Sequence, residues 1–452
     1  EHGAMNKETA MKKINVVLSG LIVAVLAAYG GSQAIMSSRA QTVQPSGQQN
    51  ADVVARGKYV AQSADCFACH SVPGGKAYAG GLAMQTPVGA VYSTNITPDA
   101  ETGIGKYSLE QFSNAVKHGV RGDGAPLYPA MPYPSYTIMP DQDVAAMYAY
   151  FMQEVKPVKQ ANQDTTMPFF MSMRWPVAYW QGLFAPAREF TANSKWDAQT
   201  NLGAYLVEGP GHCGACHTPR GVAYQEKSLS LADNDSFLSG AVVDGWRAKS
   251  LRGEGNGLGE WSENDIVQFL KTGRTDKIIA FGAMAEVVEH STQHMTEADL
   301  RGMAKYLKAL PPVTGRPVER ATKKDTTTQA LLDGSDTSRG ALLYTENCAV
   351  CHRADGKGVA RIFPALDDNS AVVANNAQSV IQVTLEGGRM AHTPGDAMAF
   401  TMPAFKQLSD EDVKELVNFV RTGWTNDAPS IETKDVTEIR RFLEKKSPHY
   451  VG

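Results

Sequence analysis

The six cysteines of this chain stand in three pairs, Cys66/Cys69, Cys213/Cys216 and Cys348/Cys351, and each pair is a CxxC followed at once by histidine: CFACH, CGACH and CAVCH. None is left over for a disulfide or a nucleophile. Two thiols three positions apart can each add to one vinyl group of a haem, and the next residue then brings an imidazole nitrogen beneath the iron. The spacing therefore predicts three covalently bound haem c groups, with His70, His217 and His352 as proximal iron ligands. The rival reading is zinc, because two CxxC pairs can supply a four-sulfur site. Three evenly spread copies behind an export signal fit zinc poorly.

Aligning the three motifs exposes an internal repeat. A short helix with a glycine near its start precedes each one: RGKYVAQSADCFACH from Arg56, LGAYLVEGPGHCGACH from Leu202 and RGALLYTENCAVCH from Arg339. Gly57, Gly203 and Gly340 correspond, and Tyr59 or Val60, Tyr205 or Leu206, and Leu342 or Leu343 give that helix an apolar face. Each repeat closes with an amphipathic helix: DQDVAAMYAYF from Asp141, TEADLRGMAKYL from Thr296 and SDEDVKELVNFV from Ser409. Thr296 with Asp299, and Ser409 with Asp412, resemble capping boxes with the shorter carboxylate. Tyr148, Tyr150, Tyr306 and Phe419 are placed where the closing helix crosses the first. The repeats span about 51–160, 195–315 and 336–428. A polar linker, 316–335, separates the last two. The stretch 161–194 between the first two is rich in Phe, Trp and Tyr. It reads first as inter-domain packing, since most aromatic stripes are core, and second as a docking face for a partner or a membrane.

The sixth iron ligand must come from elsewhere, and a thioether suits electron transfer. Position selects among the 17 methionines. Met131 in YPAMPYP and Met402 in FTMPAF lie in the loop before the closing helix, each followed by proline. Met284 in FGAMAEV fits the same place in the middle repeat but lacks the proline, and Met295, His290 and His294 compete with it. Met295 immediately precedes the cap Thr296, as Met139 precedes Pro140 and Leu408 precedes Ser409. Leucine binds no iron, so the shared role there is a hydrophobic staple against Leu300, Val144 and Val413. His118, His212 and His392 read as plain loop or helix residues. Strand signals are weak, and glycines and prolines break the chain between helices. The expected fold is mostly α: three tandem class I cytochrome c domains with long haem-wrapping loops.

A chain of 452 residues allows about three domains of roughly 150 residues. At 43% hydrophobic and 20% charged it can bury real cores. A formal charge of -4 gives nucleic acid no electrostatic footprint. Lys12 and Lys13 precede an apolar run from Ile14 to about Ala28, then small residues ending at Ser38-Arg39-Ala40. This matches a signal peptide cleaved before Gln41. The alternative is a retained anchor, for which the apolar run is short of the ~20 residues a span needs. Residues 1–4 read as a possible cloning scar.

Several further stretches carry a specific resemblance: YSTNITPD from Tyr92, LYPAMPYPSY from Leu127, SMRWP from Ser172, GPGHCGACHTPRG from Gly209 and EHSTQHMTEADL from Glu289. Over almost all of the chain after the leader it is similar to the cytochrome c subunits of bacterial membrane-bound dehydrogenases that oxidise alcohols, gluconate, sorbitol and related sugars. The resemblance implies a large catalytic subunit with a flavin or quinone (PQQ) cofactor, a small subunit beside it, and delivery of electrons to ubiquinone on the periplasmic side of the inner membrane. It implies the pairs His70 with Met131, His217 with Met284 and His352 with Met402, and places Asn95 near a haem. The last residues, RRFLEKKSPHYVG, hold no apolar anchor, so attachment is expected through the leader, an amphipathic surface or partner subunits. Arg440, Arg441, Lys445 and Lys446 offer a basic face to anionic lipid or simply to solvent. Two other classes remain: a stand-alone haem enzyme such as a peroxidase, which needs an open iron, and a soluble shuttle with no fixed partner.

Overall fold

Three glycines decide how the repeats close. The computed structural model describes residues 2–40, 51–86, 88–396 and 398–445. It opens with a long helix, α1 (His2–Arg39). The first unit holds α2 (Ala51–Ser63), α3 (Cys66–His70), an antiparallel hairpin of β1 (Ala83–Thr86) and β2 (Gly89–Tyr92), then α4 (Leu109–His118), α5 (Tyr133–Tyr136) and α6 (Asp141–Gln153). Two helices follow, α7 (Phe169–Ser172) and α8 (Trp175–Phe184). The second unit repeats the plan with α9 (Ala198–Glu208), α10 (Gly214–His217), the hairpin β3 (Ala241–Val243)/β4 (Trp246–Ala248), α11 (Glu263–Thr272), α12 (Ala283–His290) and α13 (Glu297–Ala309). After α14 (Thr327–Leu332) the third unit has α15 (Arg339–Asn347), α16 (Ala349–His352), α17 (Gln378–Glu386), β5 (Gly388–Arg389) paired with β6 (Thr401–Met402), and α18 (Asp410–Thr422). The last helix is α19 (Thr433–Lys445).

In each unit the first helix crosses the closing helix at its glycine. A Cβ on Gly57 would lie 1.9 Å from the Ala146 carbonyl oxygen, one on Gly203 1.9 Å from that of Gly302, and one on Gly340 2.6 Å from that of Glu415. No side chain fits where two helix backbones pass this closely. Tyr306 and Phe419 meet the first helix as expected: the Tyr306 hydroxyl donates to Glu208, and the Phe419 ring lies 5.4 Å from Tyr344. Tyr148 does not; it turns to α4, 5.6 Å from Phe112, and donates to the Tyr107 carbonyl. Met139 and Met295 are core residues, 1% and 2% exposed, as the staple reading requires.

The third helix of each unit, α4, α11 or α17, was not among the sequence expectations. Two of them start on reciprocal capping boxes, Ser108 with Gln111 and Ser262 with Asp265. The boxes expected on the closing helices form only by half. Thr296 and Ser409 accept from the backbone N–H of Asp299 and Asp412, but those carboxylates are used elsewhere. Asp299 accepts from the Tyr59 hydroxyl of the first unit. In return Asp143, on the first unit's closing helix, accepts from the Tyr205 hydroxyl of the second at 3.0 Å and is gripped by Arg56. Units one and two thus trade equivalent Tyr–Asp bonds. The third unit stands outside this exchange: Leu342 replaces the tyrosine, and Asp412 pairs with Arg339 of its own first helix at 2.7 Å.

Two expectations need correction. The segment 316–335 is no free linker. The Arg320 guanidinium is almost fully buried, bridging Glu260 of the second unit and Asp368 of the third, and Leu331 on α14 packs on the third unit's core. Nor is the C-terminal helix α19 a freely solvated basic helix. It buries Val436 and Ile439 against α17 and α18, and Arg440 is consumed by Asp410 at 2.6 Å and the carbonyls of Lys406 and Leu408. Arg441 and Lys445 are exposed, and Lys446 lies outside the described residues, as does Gln41.

A Gly203→Val substitution is expected to lower stability by about 3 kcal/mol through overpacking at the helix crossing. It should appear as a reduced urea midpoint with little change in slope.

Candidate functional site

The three Cys-x-x-Cys-His peptides occupy equivalent places, each just after the first helix. In the first two units the residue before the first cysteine takes a left-handed backbone, Asp65 at φ 51° and His212 at φ 35°. Asp and His tolerate that region better than most residues. The turn frees the cysteine peptide from the preceding helix. No disulfide forms among the six cysteines, and among the described residues no group of three or more His, Cys, Asp or Glu side chains converges as a metal site. Burial raises the thiols, Cys69, Cys213 and Cys348 to about 12 and Cys216 to about 11. Pairs that stay apart do not suit zinc, which takes converging thiolates.

The histidines carry the most informative geometry. His70 Nδ1 lies 2.7 Å from the Thr94 carbonyl, His217 Nδ1 2.6 Å from that of Lys249, and His352 Nδ1 2.9 Å from that of Pro364. A carbonyl only accepts, so Nδ1 must carry the proton, and each Nε2 is left with a free lone pair. Burial lowers all three rings, His217 to about 4, which keeps them neutral. A neutral imidazole with a fixed tautomer and orientation is what an axial iron ligand requires.

Each acceptor carbonyl comes from the same device. Thr94 and Lys249 follow the second strand of a hairpin, and Pro364 follows the bridge between Val359 and Phe363. A glycine ties each device to its histidine. Gly80, Gly240 and Gly358 donate their N–H to the carbonyls of His70, His217 and His352 at 2.8, 2.7 and 3.1 Å. All three have positive φ. A Cβ on Gly80 would fall 2.4 Å from the Thr94 carbonyl carbon, and one on Gly358 2.2 Å from the Phe363 oxygen. The glycines stand 10, 23 and 6 residues after the histidines, so sequence alignment at fixed spacing misses them. Asn95 steadies the first copy: buried, it accepts from the Thr97 N–H and donates to the Val158 carbonyl at 2.7 Å.

The methionines are placed less uniformly. Met131 packs on the first unit's core together with Cys66, and Met284 on the second unit's core together with Cys213. Met131 lies in the bend before α5, whereas Met284 lies on α12 itself, so the loop setting expected for it is a helix. Met402 is half-buried on β6 and does not join the apolar cluster that takes up Cys348. His290 is engaged elsewhere, its ring 4.8 Å from Phe67 inside the first CxxCH peptide. His212 in turn faces Tyr136 of the first unit at 5.6 Å. On its other flank α12 reaches the third unit through Glu289 and Arg389, 2.8 Å apart. The helix bearing Met284 is thus wedged between the first and third units.

Fold and site together define a c-type cytochrome built of tandem helical domains. A family model described as Cytochrome c matches residues 54–154 and 337–424. The chain is 47% identical to the gluconate 2-dehydrogenase cytochrome c subunit of Pantoea cypripedii, over 87% of this chain and 91% of that one. It is 48% identical to the cytochrome c subunit of the quinone alcohol dehydrogenase of Komagataeibacter europaeus, over 86% and 84%. It is 36% identical to the fructose dehydrogenase cytochrome subunit of Gluconobacter japonicus, over 89% and 86%. The chain belongs to this cytochrome c subunit family and binds haem c covalently.

One buried acid was not singled out by sequence. Glu226 abuts the second CxxCH peptide, its Oε2 2.7 Å from where a Gly214 Cβ would stand, and that oxygen has no hydrogen-bond partner among the described residues. Burial raises it to about 7, against the nearby Arg220 and Arg188. A folded value above the ordinary 4.5 means that stability is present below pH 4.5 and lost as pH rises through about 7. Glu226→Gln should therefore match the parent near pH 4.5 and exceed it increasingly toward pH 8, by at most about 3 kcal/mol. Thermal melts across that range check the trend.

Proposed function

We propose that the chain carries three covalent haem c groups and serves as the electron-transfer subunit of a membrane-bound dehydrogenase complex on the periplasmic side of the bacterial inner membrane. In this reading Cys66 and Cys69, Cys213 and Cys216, and Cys348 and Cys351 anchor the groups. His70, His217 and His352 ligate the irons on one side, and Met131, Met284 and Met402 on the other. The three domains fall at about 51–160, 195–315 and 336–428. The observation that carries the reading is the threefold repetition of a histidine with Nδ1 bound to a carbonyl and Nε2 free.

The haems supply one-electron carriers; the chain supplies position and environment. The histidine clamps fix ring tautomer and angle, and the closing helices and methionine segments shut out water. The packing of Phe67 against His290 and of His212 against Tyr136 brings the first two attachment peptides together. With every iron closed on both sides, substrate oxidation falls to a separate catalytic subunit, flavin- or PQQ-bearing, with a small subunit beside it, and electrons leave to ubiquinone. The names of the relatives favour a sugar, a sugar acid such as gluconate, or an alcohol as the substrate of the complex.

The test is haem counting and ligand access. Intact mass and the pyridine haemochrome spectrum should give three haems per chain, and the ferrous protein should resist carbon monoxide. Met131→Ala, Met284→Ala and Met402→Ala should each open one haem to carbon monoxide and lower that haem's potential. Two haems per chain, or rapid carbon monoxide binding by the unsubstituted protein, would overturn the reading.

A further inference from the structure

Where the second unit meets the third, positive charge gathers without a matching anion. Side chains alternate along an extended segment, so Arg247 on β4 and Lys249 just past it share one side, away from Trp246. Both are half-buried. Among the described residues neither forms an ion pair, and the Lys249 ammonium has one hydrogen-bond partner, the Ser370 hydroxyl at 2.9 Å. Glu254 and Glu260, the acids that face Lys249, are spent elsewhere, on Arg316 at 3.0 Å and on Arg320. Arg421, which faces Arg247, is fully buried and bonded only to the carbonyls of Val372, Ala374 and Pro429. Burial weakens the hold of Arg247 and Lys249 on their protons, and the neighbouring cations weaken it further. Cations held in this way call for an anion.

The surroundings of the pair say which anion. The Lys249 carbonyl is the one that holds His217, so the strand end passes directly beside the second attachment peptide. The Lys249 ammonium lies 4.8 Å from the centre of the Trp261 ring. Trp261 packs on the same apolar core as Cys213 and Met284, the anchor and the sixth ligand assigned to the second haem. Both cations also bear on His217 by charge. A haem carries its two propionates at the edge opposite the vinyl groups that take the cysteines. Once Cys213 and Cys216 hold one edge, two carboxylates remain at the other, and two unpaired cations match them in charge and number. The third unit meets the pair from outside: Ser370 accepts from the Lys249 ammonium, and Ser379 accepts from the Arg247 backbone N–H at 2.8 Å.

We propose that Arg247 and Lys249 bind the propionates of the second haem, and that the third unit completes the site by closing on the pair through Ser370 and Ser379. The proposal rests on the covalent haem at Cys213 and Cys216 proposed above. It turns the carboxylate edge of the second haem toward the third unit. The two cations then offset the propionate charge and hold that haem's potential up, because reduction adds a negative charge that they favour. Each is a positioning residue for the haem, and neither takes part in ligating the iron.

Arg247→Gln and Lys249→Gln are made separately in the full holo chain; the second keeps the backbone carbonyl that holds His217. Haem is labelled at its propionate carboxyl carbons by feeding cells isotope-labelled aminolaevulinate. Infrared difference spectra between the reduced and oxidised protein should then show the labelled carboxylate bands shifted in both variants. Stepwise potentiometry should show the second haem's potential lowered, that haem being the one whose wave Met284→Ala displaces. Unshifted labelled bands overturn the proposal even if the potential falls, since a nearby charge alone would lower it. A change confined to the wave of the first or third haem overturns it as well. Peptide mass keeps the two readings apart: no haem on Cys213 and Cys216 overturns both, whereas haem present there with unshifted bands overturns only this one.

Discussion

A hydrogen bond between an imidazole and a backbone carbonyl organises this protein. A histidine that ends a short helix can swing about two side-chain torsions, and nothing in CxxCH selects the angle. The carbonyls of Thr94, Lys249 and Pro364 select it, and they choose the tautomer at the same time. The carbonyls need fixing in turn, which is why a hairpin or bridge runs just before each of them and why Gly80, Gly240 and Gly358 crowd against it. Fixing orientation through an outer partner is how proteins usually hold metal-binding histidines. Here the arrangement is made three times from different loop lengths, so the geometry rather than the loop sequence is what the three units share.

The units are alike inside and unlike where they meet. Units one and two exchange Tyr59–Asp299 and Tyr205–Asp143 bonds between equivalent positions, and each inserts a ring at the other's cysteine peptide. These contacts tie their first and closing helices together beside the two cysteine peptides. The third unit attaches through Arg389 with Glu289, Lys277 with Asp368 and the bridging Arg320, and through Ala391 packed on Ala280, Ala285 and Val288. α12 touches both neighbours. A change on its surface is therefore felt at two interfaces as well as in the segment that bears Met284.

Much of the fold was legible because helix signals are local. The first and closing helices, the crossing glycines and the staple methionines all follow from periodicity and from comparing three copies of one plan. The hairpins and the third helices escaped notice for different reasons. The hairpin strands are two to four residues long, too short for alternation to register. The helices α4 and α11 did carry a readable start, serine with Gln or Asp three residues on, in stretches that otherwise resembled loops. The polar segment 316–335 and the basic tail were misread because composition reports only average solvation. Arg320 is held by Glu260 and Asp368 and Arg440 by Asp410, and composition cannot show that.

The sequence by itself determined the attachment chemistry, the number of units and their helical frame. Each of those rests on residues adjacent in the chain, or on repetition. Tertiary structure decided which nitrogen of each histidine is free and which tyrosine meets which aspartate. Those choices depend on carbonyls 12 to 32 residues away and on helices from different units, at separations that vary from copy to copy. Spacing along a chain encodes a contact only when the intervening backbone has fixed length and shape. In this protein that holds inside the CxxCH helix and fails in the loops that surround it.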